Sequence, residues 1–175
     1  LTVSKAAAAV TLGGLAQTYD GTARAVTPAT EPAGLTVVVT YDGSATAPTN
    51  AGSYAVTGTV NEARYQGTTN GTLVVGQAGA LVYLENLTQT YDGLPHTITA
   101  TSDPAGLTVT FTYDGSAAAP TNAGTYAVTG TVAELNYQGE SSGALVIGKA
   151  MQTITFPEIA DQVATNAVGL AGTAS

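Results

Sequence analysis

The clearest alternation of apolar and polar positions in the 175-residue chain lies at residues 53–60, SYAVTGTV. Tyr54, Val56, Gly58 and Val60 interleave with Ala55, Thr57 and Thr59. A period of two predicts a strand that turns the first set inward and the second outward. Residues 35–41, LTVVVTY, predict the strongest strand, while residues 9–12 with Leu15, 22–27 and 72–75 predict three more. No window keeps a 3.6-residue apolar period, and Gly or Pro interrupts every stretch of helical length. Short strands at this spacing point to an all-β sandwich.

The pattern then repeats. Residues 5–76 align on residues 77–148 without a gap at an offset of 72, and 44 of the 72 positions are identical. The shared anchors are QTYDG, PAGLTV, TYDGSA, APTNAG, YAVTGTV and YQG. A unit of this length suits a small domain that folds alone rather than a solenoid repeat. Residues 1–4 match 73–76 and 145–148, and so read as the last strand of a preceding repeat. Residues 149–175 leave the pattern. There Ile154 and Phe156 alternate with Thr153 and Thr155 before Pro157, which reads as the truncated start of a third, different immunoglobulin-like domain.

One motif makes the sandwich immunoglobulin-like. Asn50-Ala51-Gly52-Ser53-Tyr54-Ala55-Val56 resembles the D-x-G-x-Y-x-C run that opens strand F of immunoglobulin domains. There a corner tyrosine bonds back to the backbone a few residues upstream. Here Asn replaces the Asp and Val fills the Cys position, and Asn122-Ala123-Gly124-Thr125-Tyr126-Ala127-Val128 repeats the motif. The strings YDGTA, PAGLTV, TYDGSATAPTNAGSYAV, YQG and GTLVV together resemble the MBG family, immunoglobulin-like repeats of very large secreted and surface proteins of bacteria. The resemblance covers about residues 5–148, and the QTITFPEIADQ stretch after Met151 is similar to another bacterial immunoglobulin-like repeat. It implies an extracellular or cell-surface location and a structural or adhesive role. It carries over no catalytic residue and no cofactor.

Charge narrows the partners. Four Lys/Arg against 12 Asp/Glu give a net charge of −8, too few cations to neutralise a phosphate backbone or an anionic membrane. Nucleic acid is therefore excluded as a partner. No apolar run approaches the roughly 20 residues that span a bilayer, so membrane insertion of this segment is not expected either. The absence of cysteine removes disulfides, thiol catalysis and thiolate zinc sites.

Candidate chemistry centres on TYDG, which occurs at residues 18–21, 40–43, 90–93 and 112–115. Asp20, Asp42, Asp92 and Asp114 are the candidate calcium ligands, and Glu31, Glu62, Asp103 and Glu134 complete the acids at matched positions. Calcium needs six to eight oxygens, usually from closely spaced ligands, whereas these acids are scattered along the chain. The competing reading makes each TYDG a turn. Asp-Gly then supplies positive φ, and Tyr19, Tyr41, Tyr91 and Tyr113 pack over the sheet edge. Tyr54 and Tyr126 are structural corner residues. His96, the only histidine, faces Arg24 at the matched position and is expected to be a plain surface residue rather than part of a triad. Lys5, the candidate for an isopeptide cross-link, becomes Gln77 in the second repeat. Asn70-Gly71-Thr72 and Asn86-Leu87-Thr88 fit the glycosylation pattern, a weak signal.

The junction Leu73-Val74-Val75-Gly76-Gln77-Ala78 leaves few residues between successive domains, which predicts tandem domains arranged as a semi-rigid, extended rod. The partners expected are neighbouring domains of the same long chain. Three functions suit such a chain. The first is a stalk or spacer in adhesion. The second is glycan binding, with Tyr65 and Tyr137 of the YQG motifs as the exposed aromatic contacts. The third is self-assembly with other copies into a filament or surface layer through exposed strand edges.

Overall fold

The computed structural model describes residues 3–156 together with 173 and 174. The first repeat contains β1 (Ala6–Ala7), β2 (Ala9–Gly13), β3 (Ala16–Thr18), β4 (Thr27–Glu31), β5 (Val38–Tyr41), β6 (Gly52–Asn61) and β7 (Tyr65–Gly76). The second contains β8 (Ala78–Gly79), β9 (Leu81–Glu85), β10 (Thr88–Thr90), β11 (Thr99–Asp103), β12 (Val109–Tyr113), β13 (Gly124–Ala133) and β14 (Tyr137–Gly148). A short β15 (Ile154–Thr155) pairs antiparallel with β16 (Thr173–Ala174). No helix occurs among the described residues, and the fold is all-β.

Each repeat makes two sheets. In the first, β1-β7-β6-β5 forms the larger sheet with β3 also on β7, and β2 pairs with β4 in the smaller one. The second repeats this order as β10-β14-β13-β12 with β8 on β14, beside the pair β11-β9. The N-terminal segment of a repeat switches sheets twice. β1 runs parallel to β7 at Ala6↔Tyr65, β2 crosses to pair antiparallel with β4, and β3 returns to β7 at Ala16↔Val74. The return needs a left-handed residue, supplied by Gly14 at φ 70° and, in the second repeat, by Asn86 at φ 59°. Asn is one of the few side chains that accept this region.

The core follows from the alternation. Val56, Val60, Leu73 and Val75 are at most 2% exposed, and Val128, Val132, Leu145 and Ile147 match them in the second repeat. Leu12 of β2 and Leu15 pack on the Val26, Tyr41, Val56, Leu73 and Val75 cluster, which joins the two sheets of the first repeat. The glycines of β6 and β7 make room for these leucines. A Cβ on Gly58 would stand 3.1 Å from a methyl of Leu12, and one on Gly71 3.3 Å from a methyl of Leu15.

Three expectations shift. The strand predicted at 22–27 forms at Thr27–Glu31 instead. Loop partners take its backbone: Arg24 N–H donates to Pro48 O, Val26 N–H to Tyr41 Oη, and Gln17 Nε2 to Ala25 O. The strand predicted at 35–41 narrows to Val38–Tyr41. Conversely, the strand predicted at 72–75 runs twelve residues from Tyr65 to Gly76. Gly67 and Gly71 lie inside this strand as points of close approach. Of the strand expected at residues 1–4, Leu1 and Thr2 lie outside the described residues, as do residues 157–172 and 175 of the expected third domain. Val3 and Ser4 are not in a strand.

Candidate functional site

The four TYDG copies are turns of two kinds. In the second and fourth, Asp42 and Asp114 adopt φ 47° and 48°, each followed by a glycine with positive φ. Tyr41 and Ser44 exchange backbone hydrogen bonds of 2.7 and 2.8 Å, which closes a two-residue hairpin. The carboxylate is used up locally: Asp42 Oδ1 accepts the Ala55 N–H at 2.8 Å, and Asp114 Oδ1 the Ala127 N–H at 2.7 Å. The tyrosine goes inward rather than over the edge. Tyr41 and Tyr113 are buried, and their Oη atoms accept the N–H of Val26 and Ile98.

In the first and third copies only the glycine has positive φ, and the aspartate closes an Asx turn. Asp20 Oδ1 accepts from Thr22 N–H at 2.9 Å and from Thr22 Oγ1 at 2.6 Å, while Asp92 Oδ1 accepts Leu94 N–H at 2.8 Å. Arg24 Nη1 stands 2.8 Å from Asp20 Oδ2, and its Nε donates to Thr18 O at 2.8 Å. Tyr19 packs on the core cluster of the first repeat, whereas Tyr91 is exposed.

These placements do not assemble a metal centre: among the described residues no three of His, Cys, Asp and Glu come together. Glu62 and Glu134 are likewise engaged, with Oε1 accepting the N–H of Thr36 at 2.6 Å and of Thr108 at 2.7 Å. Lys5 Nζ donates to Asn61 Oδ1 at 2.5 Å, and both residues are exposed, unlike the buried pair an isopeptide bond requires.

His96 departs from the surface reading. Its matched residue Arg24 is half-buried, whereas His96 is 6% exposed. Nδ1 pairs with Gln89 Oε1 at 2.8 Å, while Nε2 lies 3.2 Å from Asp92 Oδ1 without hydrogen-bond alignment. The sequence holds no second histidine. The YQG tyrosines are not freely exposed either. Tyr65 is half-buried against Ala8, Val10 and Val60, and Tyr137 is half-buried too.

Tyr137 has a more specific role. Its ring meets that of Tyr19 edge to face, with centroids 5.3 Å apart and planes at 81°. Beside it, Asn136 Oδ1 accepts the Ala51 N–H at 2.8 Å, and Asn136 Nδ2 donates to Asn50 Oδ1 at 3.1 Å. All five residues belong to one compact unit, which holds the first repeat together with Ala100–Phe111 and Gly130–Ser141. The corner tyrosine supports this cluster, since Tyr54 Oη donates to Asn50 O at 2.9 Å. Asn50 and Ala51 stood out in the sequence only as part of the corner motif, and Asn136 did not stand out. The available signal was the change from Arg64 to Asn136 beside an unchanged Tyr-Gln-Gly.

A family model described as the MBG domain matches residues 8–79 and 80–151. The chain belongs to this family. The two MBG spans keep the period of 72 read from the sequence, with each boundary set three residues further along. No curated protein matches the chain, and no solved structure matches it. MBG is a repeat family of structural type, and the turns described above are parts of the MBG repeat itself.

The Asx turn of the first MBG repeat makes one pH-dependent contribution. The Thr22 hydroxyl and N–H, with Arg24 beside them, hold the Asp20 carboxyl below its ordinary value of 3.8. A lowered folded-state value means that this contribution is fully present above the ordinary value and is lost as pH falls through the lowered one. A carboxyl-carbon NMR titration is therefore expected to place the Asp20 midpoint below 3.8, and Thr22→Val, which removes the hydroxyl donor, to move it up. A midpoint unchanged by Thr22→Val would contradict the assignment.

Proposed function

We propose that this chain is a non-catalytic structural segment of a large bacterial extracellular or cell-surface protein, where its MBG repeats act as a semi-rigid stalk or spacer in adhesion. One observation carries the reading: the side chains with chemical potential are consumed by the repeats themselves. The aspartates of all four TYDG copies accept hydrogen bonds within their own repeat, and the YQG tyrosines are half-buried against protein. What remains is a duplicated module with a minimal connection. β7 ends at Gly76 and β8 begins at Ala78, so only Gln77 separates them. A one-residue link allows far less freedom than a Gly/Ser tether. The bacterial surface setting is the one the family resemblance implies.

A spacer makes a quantitative demand on length. Small-angle scattering of chains with two, three and four MBG repeats is expected to show the maximum dimension growing by a constant increment per repeat. A dimension that stops growing would sink the spacer reading. A reproducible hit for the 175-residue chain on a glycan array would replace it with a binding role.

A further inference from the structure

Among the described residues, His96 Nε2 is the one buried side-chain nitrogen or oxygen without a hydrogen-bond partner. A buried polar atom in this state calls for a donor or an ion. Its surroundings fix which. Gln89 Nε2 donates to Asn86 O at 3.0 Å and to Thr97 O at 2.8 Å, so Gln89 Oε1 is the atom that faces His96 Nδ1. Gln17 makes the same two bonds, to Gly14 O and Ala25 O, in a repeat without histidine. The amide's orientation therefore belongs to the repeat and not to the ring. An amide oxygen only accepts, so Nδ1 carries the proton. In the neutral ring Nε2 is then a bare lone pair, and it stands 3.2 Å from Asp92 Oδ1.

The first repeat shows what belongs between two such acceptors. There Arg24 holds the His96 position and brings its own positive charge to 2.8 Å from Asp20 Oδ2. Thr22 adds a hydroxyl to the same carboxylate, 2.6 Å from Oδ1. In the second repeat a neutral imidazole brings no charge, and Leu94 at the Thr22 position has no hydroxyl. Asp92 Oδ1 keeps the N–H of Leu94 but loses the cation. We propose that the missing cation comes from outside, and that His96 Nε2 and Asp92 Oδ1 form a two-ligand site for a divalent transition metal of the zinc class.

The geometry favours a metal over a proton. A proton shared by the pair would draw the two atoms to about 2.7–2.9 Å and into line. Here they are further apart and off the hydrogen-bond axis. Zinc bonds of about 2.0–2.2 Å to imidazole and carboxylate set two ligands about 3.3 Å apart at the tetrahedral angle, close to the separation seen. The outer support is in place as well. A metal-bound imidazole donates its other N–H to an acceptor that fixes the ring, as Nδ1 does to Gln89 Oε1. Imidazole suits zinc, copper and nickel, whereas calcium and magnesium take oxygen ligands. The Asp92 side chain is 56% exposed, so the ion enters from its side and water completes the coordination. The bound ion ties the Asp92 turn to the buried ring, as the Arg24–Asp20 pair ties its own turn in the first repeat.

The test is a zinc titration of the tag-free 175-residue chain, in which His96 is the single imidazole and no thiol competes. In NMR spectra zinc is expected to shift the His96 ring nitrogens, Nε2 most of all, together with the Leu94 amide. Calcium at equal concentration is expected to leave the ring unmoved. Zinc at about ten times its dissociation constant is expected to raise the melting temperature of the second repeat by roughly 5 °C or more. The Ile147 methyls report that transition, and the Val75 methyls report the first repeat, which is expected to shift far less. His96→Arg restores the residue of the first repeat, and Asp92→Asn keeps the shape of the side chain. Each is expected to weaken zinc binding about tenfold or more. A His96 ring that ignores millimolar zinc, or a melting shift that survives His96→Arg, overturns the proposal. So does a second repeat that mild acid stabilises and zinc does not, since a proton would then be the missing cation.

Discussion

Leu73→Ala is expected to lower the melting temperature of the first repeat by roughly 10 °C or more, the largest effect of any single truncation in that repeat. Leu73 is 0% exposed and lies opposite Tyr54 in the β6–β7 pairing, in one cluster with Val26, Tyr41, Val56 and Val75. Removing its three outer carbons costs their transfer energy and leaves a cavity, together about 2–5 kcal/mol for a buried leucine. A domain of this size has only about 4–11 kcal/mol in total. The loss is therefore a large share of what keeps the repeat folded. Small domains have little spare core to absorb such a change, because they bury a smaller fraction of their surface.

Duplication supplies the control. Leu145, also 0% exposed, keeps the second core intact in this variant. Calorimetry of Leu73→Ala should show the unfolding endotherm split, with only one component displaced. Leu145→Ala should displace the other. A single endotherm shifted by less than 3 °C or so in either variant would contradict the assignment of these leucines as core centres.

The parts of the fold legible in the sequence were those fixed by local chemistry. NAGSYAV specified a corner because a tyrosine two residues before a core position reaches back to a carbonyl four residues upstream, and the Tyr54–Asn50 bond is that contact. Asp-Gly specified turns, and Asp42 and Gly43 have the positive φ that this pair tolerates. The burial of Val56 and Val60 followed from period two. What escaped depends on partners distant in sequence. Residues 22–27 were expected as a strand, yet the backbone groups of Arg24, Ala25 and Val26 bond to Pro48, the Gln17 side chain and Tyr41. His96 is buried with its Nδ1 paired to the Gln89 side chain, a contact that its place in the sequence does not announce. The Asn50–Asn136 pair joins residues 86 apart, and no local pattern announces it.

The YQG motif was legible as an anchor but not as a mechanism, and the mechanism predicts the second large effect. Gly67→Ala is expected to destabilise the first repeat by about 3 kcal/mol, and Gly139→Ala the second by as much. A Cβ on Gly67 would stand 2.1 Å from the carbonyl oxygen of Ala8, and one on Gly139 2.1 Å from that of Ala80. Both obstacles are backbone, so no side-chain rotation relieves them. The backbone is there for a reason. Ala8 N–H donates to Gln66 O at 2.8 Å where the chain leaves β1 for β2, so the crossing between sheets passes directly over Gly67. Gly67 does not have a positive φ, so its requirement is space alone. Gly79 isolates that cause, because a Cβ there meets nothing within 4 Å and the matched residue in the first repeat is Ala7. Urea denaturation should show Gly67→Ala and Gly139→Ala with strongly lowered midpoints, and Gly79→Ala within about 0.5 kcal/mol of the parent. Equal midpoints for all three would mean that the crossing yields at little cost, and the YQG glycine would then lack the role assigned to it.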